Sequence, residues 1–157
     1  MSIAEKHLTH IAQIGFVYPD IDPIVKAMKD KLGIEPTKLG ITPEEGDKFY
    51  RGKKDDLGCR MAFYNFANIE LEFISPVKGE HSVWQDFLDS GRQGLHHIRF
   101  DIADQEGLKE DFAQVDIPIY MNGPSTNMPG HTWAYWDTEP SLGWLIETLN
   151  AFEDINK

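Results

Sequence analysis

Two stretches of the chain repeat one short pattern that begins with a side chain able to bind a metal ion. The stretch QIGFVYPD starts at Gln13, and the stretch HIRFDIAD starts at His97. In both, isoleucine is second, phenylalanine is fourth and aspartate is eighth. Each copy later ends in an apolar run that carries a carboxylate, Glu72 in the first and Glu147 in the second. A repeated supersecondary unit of this kind predicts that function lies between the two copies.

Strand alternation decides whether these four side chains can meet. Residues two apart on a strand share a face, whereas direct neighbours point to opposite faces. Gln13 is therefore predicted to share a face with Gly15, and His97 to lie opposite His96. If the symmetry of the repeat brings equivalent strands together, the converging side chains are Gln13, Glu72, His97 and Glu147. Oxygen and nitrogen donors without a thiolate suit Mn, Fe, Co, Ni or Zn in a site that keeps positions for substrate.

Such a site predicts chemistry at a carbonyl group. A divalent ion can polarise a substrate carbonyl and stabilise an enolate while a nearby carboxylate moves the adjacent proton. Glu147 is one candidate base, and Glu70, on the same strand face as Glu72, is the other. The sequence therefore predicts a metal-dependent lyase, isomerase or epimerase.

Several of these residues also have simpler interpretations. An ionised carboxylate inside an apolar strand is costly unless it is paired or bound to metal, so a salt bridge to Arg60 or Arg99 is an alternative partner. His10 competes with Gln13 as a ligand, but it needs a bulge or a shifted register to reach the same face. His131 is interpreted either as a pocket residue or as a solvated loop residue.

The secondary-structure elements that must position the four candidate ligands can be predicted from the pattern of apolar residues. HIAQIGFVY predicts a strand at about 10–18, and DIDPIVKAMKDKLG predicts the helix after it. The Pro, Gly and Glu-rich segment at 33–47 predicts a loop that can form a lid. A short strand at 49–51 is expected next, followed by the hairpin GCRMAFYNF and NIELEFIS. The segment SVWQDFLDSG predicts a bridging helix capped by Ser82 and ended by Gly91.

The second unit repeats this order, with the segments LHHIRFDI, DQEGLKEDFAQVD, IPIYM, HTWAYWDT and GWLIETLN. The predicted fold class is α+β, with two βαβββ modules that form a curved, mostly antiparallel sheet around a concave metal site. Module one covers about 8–78, the bridging helix about 81–91 and module two about 92–152, within one domain of 1–157.

The composition argues against several classes of partner. A net charge of −11 argues against nucleic acid and anionic membranes. No apolar run approaches membrane-spanning length and the segment MSIAEKHLTH does not resemble a signal peptide, so we expect a cytoplasmic protein.

The single cysteine, Cys59, excludes an internal disulfide and a thiolate zinc cluster, and its apolar strand predicts a buried side chain. One basic cluster indicates either a solvated loop or an anion site: Lys48, Arg51, Lys53, Lys54 and Arg60.

Over nearly its whole length the chain resembles the vicinal oxygen chelate superfamily, which contains glyoxalase I, methylmalonyl-CoA epimerase, extradiol dioxygenases and drug resistance proteins. The resemblance rests on the segments GCRMAFYNFANIELEFISP, GLHHIRFDIAD and WLIET. It implies one divalent ion, Zn, Ni, Co, Mn or Fe, bound by Gln13, Glu72, His97 and Glu147, a set similar to that of zinc-type glyoxalase I. It also implies a small oxoacid, thiohemiacetal or acyl-CoA substrate, with a thiol co-substrate or a CoA thioester, and a homodimer.

The chain departs from the epimerase pattern at two positions. Epimerases usually have histidine where this chain has Gln13, and some place a second catalytic glutamate where it has Arg60. Epimerisation with two bases would then require Glu70. The alternatives are an extradiol dioxygenase, which needs a second histidine such as His10, and a drug- or small-molecule-binding protein of the resistance type. The sequence leaves both possible, as it does a site completed within one chain or across a dimer.

Overall fold

The computed structural model describes residues 1–43, 45–125 and 127–152. Within these ranges the helices are α1 (Ile3–His7), α2 (Asp22–Leu32), α3 (Val83–Asp89), α4 (Gln105–Ala113) and α5 (Glu139–Leu142). The strands are β1 (Ile11–Val17), β2 (Lys38–Ile41), β3 (Phe49–Tyr50), β4 (Lys53–Lys54), β5 (Gly58–Phe66), β6 (Ile69–Lys78), β7 (Gly94–Asp101), β8 (Ile119–Pro124), β9 (Thr132–Trp136) and β10 (Leu145–Leu149). None of the described helices is long and apolar enough to cross a bilayer.

Ten strands form one curved sheet from two matching halves. The first half has the order β2-β5-β6-β1, the second has the order β7-β10-β9-β8, and antiparallel β1 and β7 join them edge to edge. In each half the first strand runs parallel to the last, β1 with β6 and β7 with β10, and the other pairs are antiparallel. The α+β class with two repeated units and a mostly antiparallel sheet is confirmed. The four strands that carry the predicted ligands, β6, β1, β7 and β10, are the central four of the eight strands in the two halves.

The second strand of the first half differs from the prediction. It is β2, which lies inside the predicted lid loop and pairs with β5, with Leu39 opposite Ala62. The predicted strand at 49–51 exists as β3, but β3 pairs with β8 of the second half and forms a hairpin with β4. The pattern of β2 is hard to recognise because Leu39 and Ile41 are exposed at a sheet edge, so its apolar side chains do not indicate burial.

Two helices cover the convex face of the sheet and one lies on the concave face. Residues of β5 and β6 such as Tyr64 and Phe73 pack towards α2, and Phe112 of α4 packs on Trp136 of β9. The bridging helix α3 instead packs with inward-facing side chains of the central strands, such as Val17. It therefore closes one end of the concavity and leaves the rest of that face open for a site.

The predicted bridging helix has the expected ends. The Ser82 hydroxyl accepts a hydrogen bond from the backbone N–H of Gln85 at 3.0 Å, so it caps the N-terminus. The chain leaves the helix through Ser90 and Gly91, and Gly91 has a φ of 82°. This left-handed conformation favours glycine, which explains the residue type at the exit.

Candidate metal centre

Four side chains form a row across the concave face on the four central strands. Glu70 on β6 lies beside Gln13 on β1, Gln13 lies beside Arg99 on β7, and Arg99 lies beside Glu147 on β10. All four line one cavity of about 240 Å³. The symmetry of the two halves thus brings together residues that are far apart in the sequence.

The next row contains the other two predicted ligands with a glycine between them. Glu72 lies beside Gly15, and Gly15 lies beside His97. A Cβ atom at Gly15 would lie 1.9 Å from His97 Cε1 and 2.1 Å from His97 Nε2, so the imidazole occupies the space of a side chain. His97 Nε2 consequently lies 3.4 Å from Glu72 Oε2 and 3.0 Å from Glu147 Oε2.

The donor atoms of this cluster are buried and short of partners. Ligand atoms of Glu72, His97 and Glu147 lie within 4.8 Å of one another, which is close enough for one ion. Gln13 Oε1, His97 Nε2 and Glu147 Oε2 are buried without a hydrogen bond of acceptable geometry. Buried polar atoms without partners are costly, and a cation held between Glu72, His97 and Glu147 would satisfy His97 Nε2 and Glu147 Oε2, while Gln13 lines the same cavity. One nitrogen and three oxygen donors fit a divalent transition metal.

A bulge in β7 places His96 on the same side of the sheet as His97. Gly15 pairs with His97 and Phe16 pairs with the residue before His96, so His96 is the extra residue in the ladder. Both imidazoles contact the Tyr135 ring, with centroid distances of 5.9 Å for His96 and 5.1 Å for His97. The prediction that the two histidines lie on opposite faces is wrong, because the bulge interrupts the alternation.

His96 fixes the orientation of the His97 ring. The Val83 carbonyl only accepts hydrogen bonds and lies 3.2 Å from His96 Nε2, so we assign the hydrogen to that nitrogen. Burial, and then the nearby His97, lower the pKa of His96 well below its usual value, so this ring is neutral. Its Nδ1 therefore accepts from His97 Nδ1 at 2.9 Å. His97 is left with Nε2 facing the carboxylates, and an outer partner of this kind is typical of metal-binding histidines.

The protein alone holds a proton where a cation would bind. Burial lowers the pKa of His97, but Glu147 and Glu72 outweigh this effect and raise the pKa to about 9. Burial also raises the pKa of Glu72, which His97 opposes only in part. A metal ion bound to these ligands would therefore displace a proton.

Glu70 orients the amide of Gln13. Gln13 Nε2 donates a hydrogen bond to Glu70 Oε1 at 2.7 Å, which turns the amide oxygen away from Glu70. That oxygen, Gln13 Oε1, is one of the buried atoms without a partner. Glu70 lines the same cavity and is only partly buried, so one of its oxygens supports Gln13 while the group stays accessible.

A family model described as the glyoxalase/bleomycin resistance protein/dioxygenase superfamily matches residues 12–135. The chain belongs to this superfamily. The match includes the first three predicted ligands, Gln13, Glu72 and His97, and the strands that carry them. Comparison with curated protein sequences gives no significant match.

Solved structures share the superfamily fold at low identity. A hypothetical protein from Bacillus halodurans has a TM-score of 0.65 at 17% identity, covering 88% of this chain and 91% of that one. A methylmalonyl-CoA epimerase variant from Streptomyces coelicolor, in complex with 2-nitronate-propionyl-CoA, has a TM-score of 0.65 at 22% identity, with 90% and 94% covered. The methylmalonyl-CoA epimerase from Mycobacterium tuberculosis has a TM-score of 0.64 at 16% identity, with 90% and 87% covered. These likenesses show that the fold is shared.

In this superfamily member the two arginines considered as partners of the carboxylates form hydrogen bonds with aspartates. Arg60 Nη2 donates to Asp22 Oδ1 at 2.6 Å, outside the cavity. Arg99 Nε donates to Asp101 Oδ1 at 3.1 Å. Within the described ranges neither arginine forms a salt bridge with Glu72, so the salt-bridge interpretation of this buried carboxylate is not supported.

The competing histidines are also placed away from the cavity. The His10 ring packs edge-on against Phe152, with centroids 5.6 Å apart. His131 Nδ1 lies 2.8 Å from the Asn150 carbonyl oxygen, so its ring is bound at the last loop. Gln13, by contrast, lines the cavity. The ladder of β1 with β7 is regular from Gln13 to Gly15, and the irregularity between Ile11 and Gln13 does not bring His10 into the cavity.

Aromatic side chains form part of the cavity wall beside the carboxylates, with Phe63 next to Glu72 and Tyr135 next to Glu147 on neighbouring strands. Phe63, Trp84, Trp133 and Tyr135 line the cavity, and Trp84 Nε1 donates to the Tyr135 hydroxyl at 3.2 Å. Trp136 points to the convex side and is fully buried there. Strand alternation explains this division within WAYW, and sequence reasoning did not decide which of these aromatics faces the cavity.

The basic cluster of the sequence does not converge into an anion site. Four of its five members have separate partners: Arg51 pairs with Asp137, Lys54 with Asp47, Arg60 with Asp22, and Lys48 Nζ donates to the Pro43 carbonyl oxygen. The interpretation as a surface with local salt partners is therefore favoured. Arg99 is the cavity cation, and sequence reasoning considered it only as a counter-ion.

Cys59 is a buried wall residue. Its Sγ lies 3.3 Å from Thr42 Oγ1, and burial raises the pKa of the thiol far above its usual value. A thiol that stays protonated is a poor nucleophile, so Cys59 behaves as the buried side chain predicted from its strand.

Proposed function

We propose that this protein is a divalent-metal-dependent enzyme that moves a proton on a carbon next to a carbonyl, as an epimerase, isomerase or lyase. The observation that carries this proposal is that ligand atoms of Glu72, His97 and Glu147 lie within 4.8 Å of one another, while Gln13 Oε1, His97 Nε2 and Glu147 Oε2 are buried without hydrogen-bond partners. Zn, Ni, Co, Mn and Fe all accept this donor set.

The ion would supply Lewis acidity to a substrate carbonyl oxygen, which makes the adjacent C–H more acidic. The chain itself fixes the donors in advance. Glu70 holds the Gln13 amide, and His96 holds the His97 ring. The aromatic side chains supply an apolar part of the cavity wall, against which a small substrate can pack.

Two carboxylates, Glu70 and Glu147, stand at the two ends of the row of side chains that crosses the central strands. Glu70 on β6 and Glu147 on β10 are separated by β1 and β7, which is three strand spacings or about 14 Å along the sheet. Their side chains can approach a small substrate from two directions. One carboxylate takes the carbon-bound proton, and the protonated form of the other returns a proton to the opposite face, which inverts the carbon. Isomerisation results instead when the same group returns the proton to the neighbouring carbon.

A paired substitution separates the two roles of Glu70. Glu70→Gln keeps an oxygen that can accept from Gln13 but removes the base, so we expect normal metal content and strongly reduced proton exchange. Glu70→Leu removes both functions, so metal affinity should fall as well. Equal exchange rates in wild type and Glu70→Gln would exclude Glu70 as a base.

The cavity limits the size of the reacting group. A volume of about 240 Å³ accommodates a small oxoacid, a thiohemiacetal head or the acyl part of a CoA thioester, with the remainder of a larger thiol outside. The methylmalonyl-CoA epimerase from Streptomyces coelicolor with a comparable fold binds 2-nitronate-propionyl-CoA. An acyl-CoA or thiol-derived substrate is therefore the first class to test.

Extradiol ring cleavage is less well supported by the site. Such enzymes use two histidines and one carboxylate with iron. In this chain His96 is committed to Val83 and His97, and His10 packs on Phe152. His97 is then the one histidine available in the described cluster.

The test combines metal analysis with two screens for proton transfer. Protein purified without a histidine tag should contain about one divalent metal per chain. NMR in deuterium oxide should show exchange of the acidic hydrogen in methylmalonyl-CoA-like thioesters, or product should form from methylglyoxal and a thiol. Glu147→Gln should lose most of this activity, and its metal content must be measured because Glu147 is both ligand and candidate base. No exchange in either screen, with tight binding of an unrelated hydrophobic ligand, would favour a binding protein.

A further inference from the structure

Arg99 is the one Lys or Arg among the described residues that line the cavity. On its strand it lies between Gln13 on one side and Glu147 on the other. In the first sequence repeat the equivalent position is Gly15. The repeated unit therefore does not require an arginine at this position.

The guanidinium of Arg99 is held through its Nε group, and its two Nη groups are available to a ligand. Its Nε donates to Asp101 Oδ1 at 3.1 Å, and Asp101 is 2% exposed, so the anchor is rigid. The Arg99 side chain is 19% exposed, and its two Nη groups form no hydrogen bond or ion pair with the described residues. A fixed guanidinium with a free pair of N–H groups matches the two oxygens of a carboxylate.

The charges of the cavity explain why an anionic ligand would need this residue. Glu70, Glu72 and Glu147 line the same space and would repel a negatively charged substrate. A guanidinium stays protonated in proteins, so Arg99 provides a permanent positive charge beside Gln13 and Glu147. Arg99 lies beside Gln13 and Glu147 on the neighbouring strands, so it is next to two of the candidate ligands.

We propose that Arg99 binds a carboxylate of the substrate, and that the substrates are small acids with a carboxylate next to the reacting carbonyl or one carbon beyond it. This inference rests on the proposed function, because the same cavity must hold the carbonyl that reacts. Asp101 is then a positioning residue that keeps the guanidinium turned towards the cavity.

Titration calorimetry with two small probes tests this assignment on zinc-loaded protein. Malonate carries the carboxylates, and malonamide has the same shape without charge. Arg99→Gln should weaken malonate binding by roughly tenfold or more, as expected for the loss of a charge-assisted pair, and leave malonamide binding unchanged. Arg99→Lys should retain part of the malonate affinity. Arg60→Gln is the matched control, because it removes the same charge outside the cavity.

Three outcomes overturn the assignment. They are equal malonate affinity in wild type and Arg99→Gln, equal loss of both probes, and an equal effect of Arg60→Gln. Zinc content, measured on each variant, tests the proposed function separately. If the protein takes up no metal, the proposed function fails, and the same comparison of malonate and malonamide on metal-free protein still decides whether Arg99 binds the anion.

Discussion

At the scale of residues, the candidate centre depends on groups that do not themselves bind metal. Gly15 gives the His97 ring its space, His96 sets which nitrogen faces the carboxylates, and Glu70 turns the Gln13 amide. Each of these contacts orders a donor before any ion arrives. Burial of a polar atom without a partner costs free energy, and in this site a bound cation would offset that cost.

Substitution of Gln13 and of His10 distinguishes the two candidates for the first ligand. Gln13→Ala should lower metal affinity at least about tenfold, the loss typical of even an outer partner of a ligand, because it removes a donor from the cavity. His10→Ala should leave affinity unchanged, since that ring packs on Phe152. Competition titration with a chromogenic chelator measures both. The reverse result would restore a histidine ligand and reopen the dioxygenase interpretation.

Gly15→Ala tests whether the missing side chain builds the site. The new methyl group would overlap the His97 ring, so the ring must move and metal affinity should fall by roughly tenfold or more. Thermal unfolding should also show a loss of about 1–3 kcal/mol from overpacking. Gly40→Ala is the control, because its nearest neighbour would be Met61 Cε at 3.4 Å and it lies on the edge strand β2. Unchanged metal affinity in Gly15→Ala would contradict the role of this gap.

At the scale of elements, the β3–β4 hairpin ties the two halves of the chain together. β3 pairs with β8, and the hydroxyls of Tyr50 and Tyr120 both donate to Asp86 Oδ2 on α3. The Arg51 guanidinium lies 3.9 Å from the centroid of the Tyr120 ring and bonds Asp137. This hairpin crosses from the first half to the second, so it stabilises the closed end of the concavity.

Removal of the shared carboxylate should weaken this attachment. Asp86→Ala leaves two phenols without their acceptor, so we expect a loss of about 3 kcal/mol in the free energy of unfolding by urea. Asp89→Ala on the same helix is the control, because among the described residues Asp89 bonds the Gln85 amide alone, at the surface, and its loss should cost little. Equal stability of the two variants would show that the hairpin does not depend on Asp86.

The same cluster predicts a loss of stability in alkali. Burial, with the hydrogen bonds to Asp86, raises the pKa of Tyr50 and of Tyr120 above the usual value near 10. A raised folded-state pKa means that the stabilisation is complete below the unfolded pKa of about 10 and is lost as pH rises through the folded value. Unfolding free energies measured from pH 8 to 11 should therefore fall above pH 10. Tyr120→Phe should flatten this slope.

At the scale of the whole molecule, the described part of one chain contains the complete candidate ligand set. The antiparallel contact of β1 with β7 brings the two halves together without a second subunit. The alternative of a site completed across a dimer is therefore not required by this arrangement. A homodimer remains a separate prediction.

We expect the homodimer to bury an apolar sheet edge. Leu39 and Ile41 on β2 are 65% and 64% exposed, and an edge strand with apolar side chains favours pairing with another chain. Sedimentation at micromolar concentration should give a dimer, and Ile41→Lys should shift it towards monomer. Val115→Lys, at another exposed apolar residue, is the control. A monomeric wild-type protein would contradict the prediction.

The sequence by itself was sufficient for the repeat, the fold class and the grouping of the candidate ligands. Gln13 and His97 begin equivalent strands, and Glu72 and Glu147 end equivalent units, so strand alternation and the symmetry of the repeat place them on one concave face. These are properties of local period and of internal similarity. Both can be read without knowledge of long-range contacts.

Only the tertiary structure decided the features that break the repeat. The bulge at His96, the edge strand at Lys38–Ile41 and the cavity position of Arg99 have no local signal that distinguishes them from an ordinary strand, loop or counter-ion. A bulge depends on the register of the partner strand. An exposed edge strand shows no alternation of buried apolar residues. The role of a charged group depends on which charges surround it. These conditions are set by residues distant in the chain, so they exist only once the two halves are in contact.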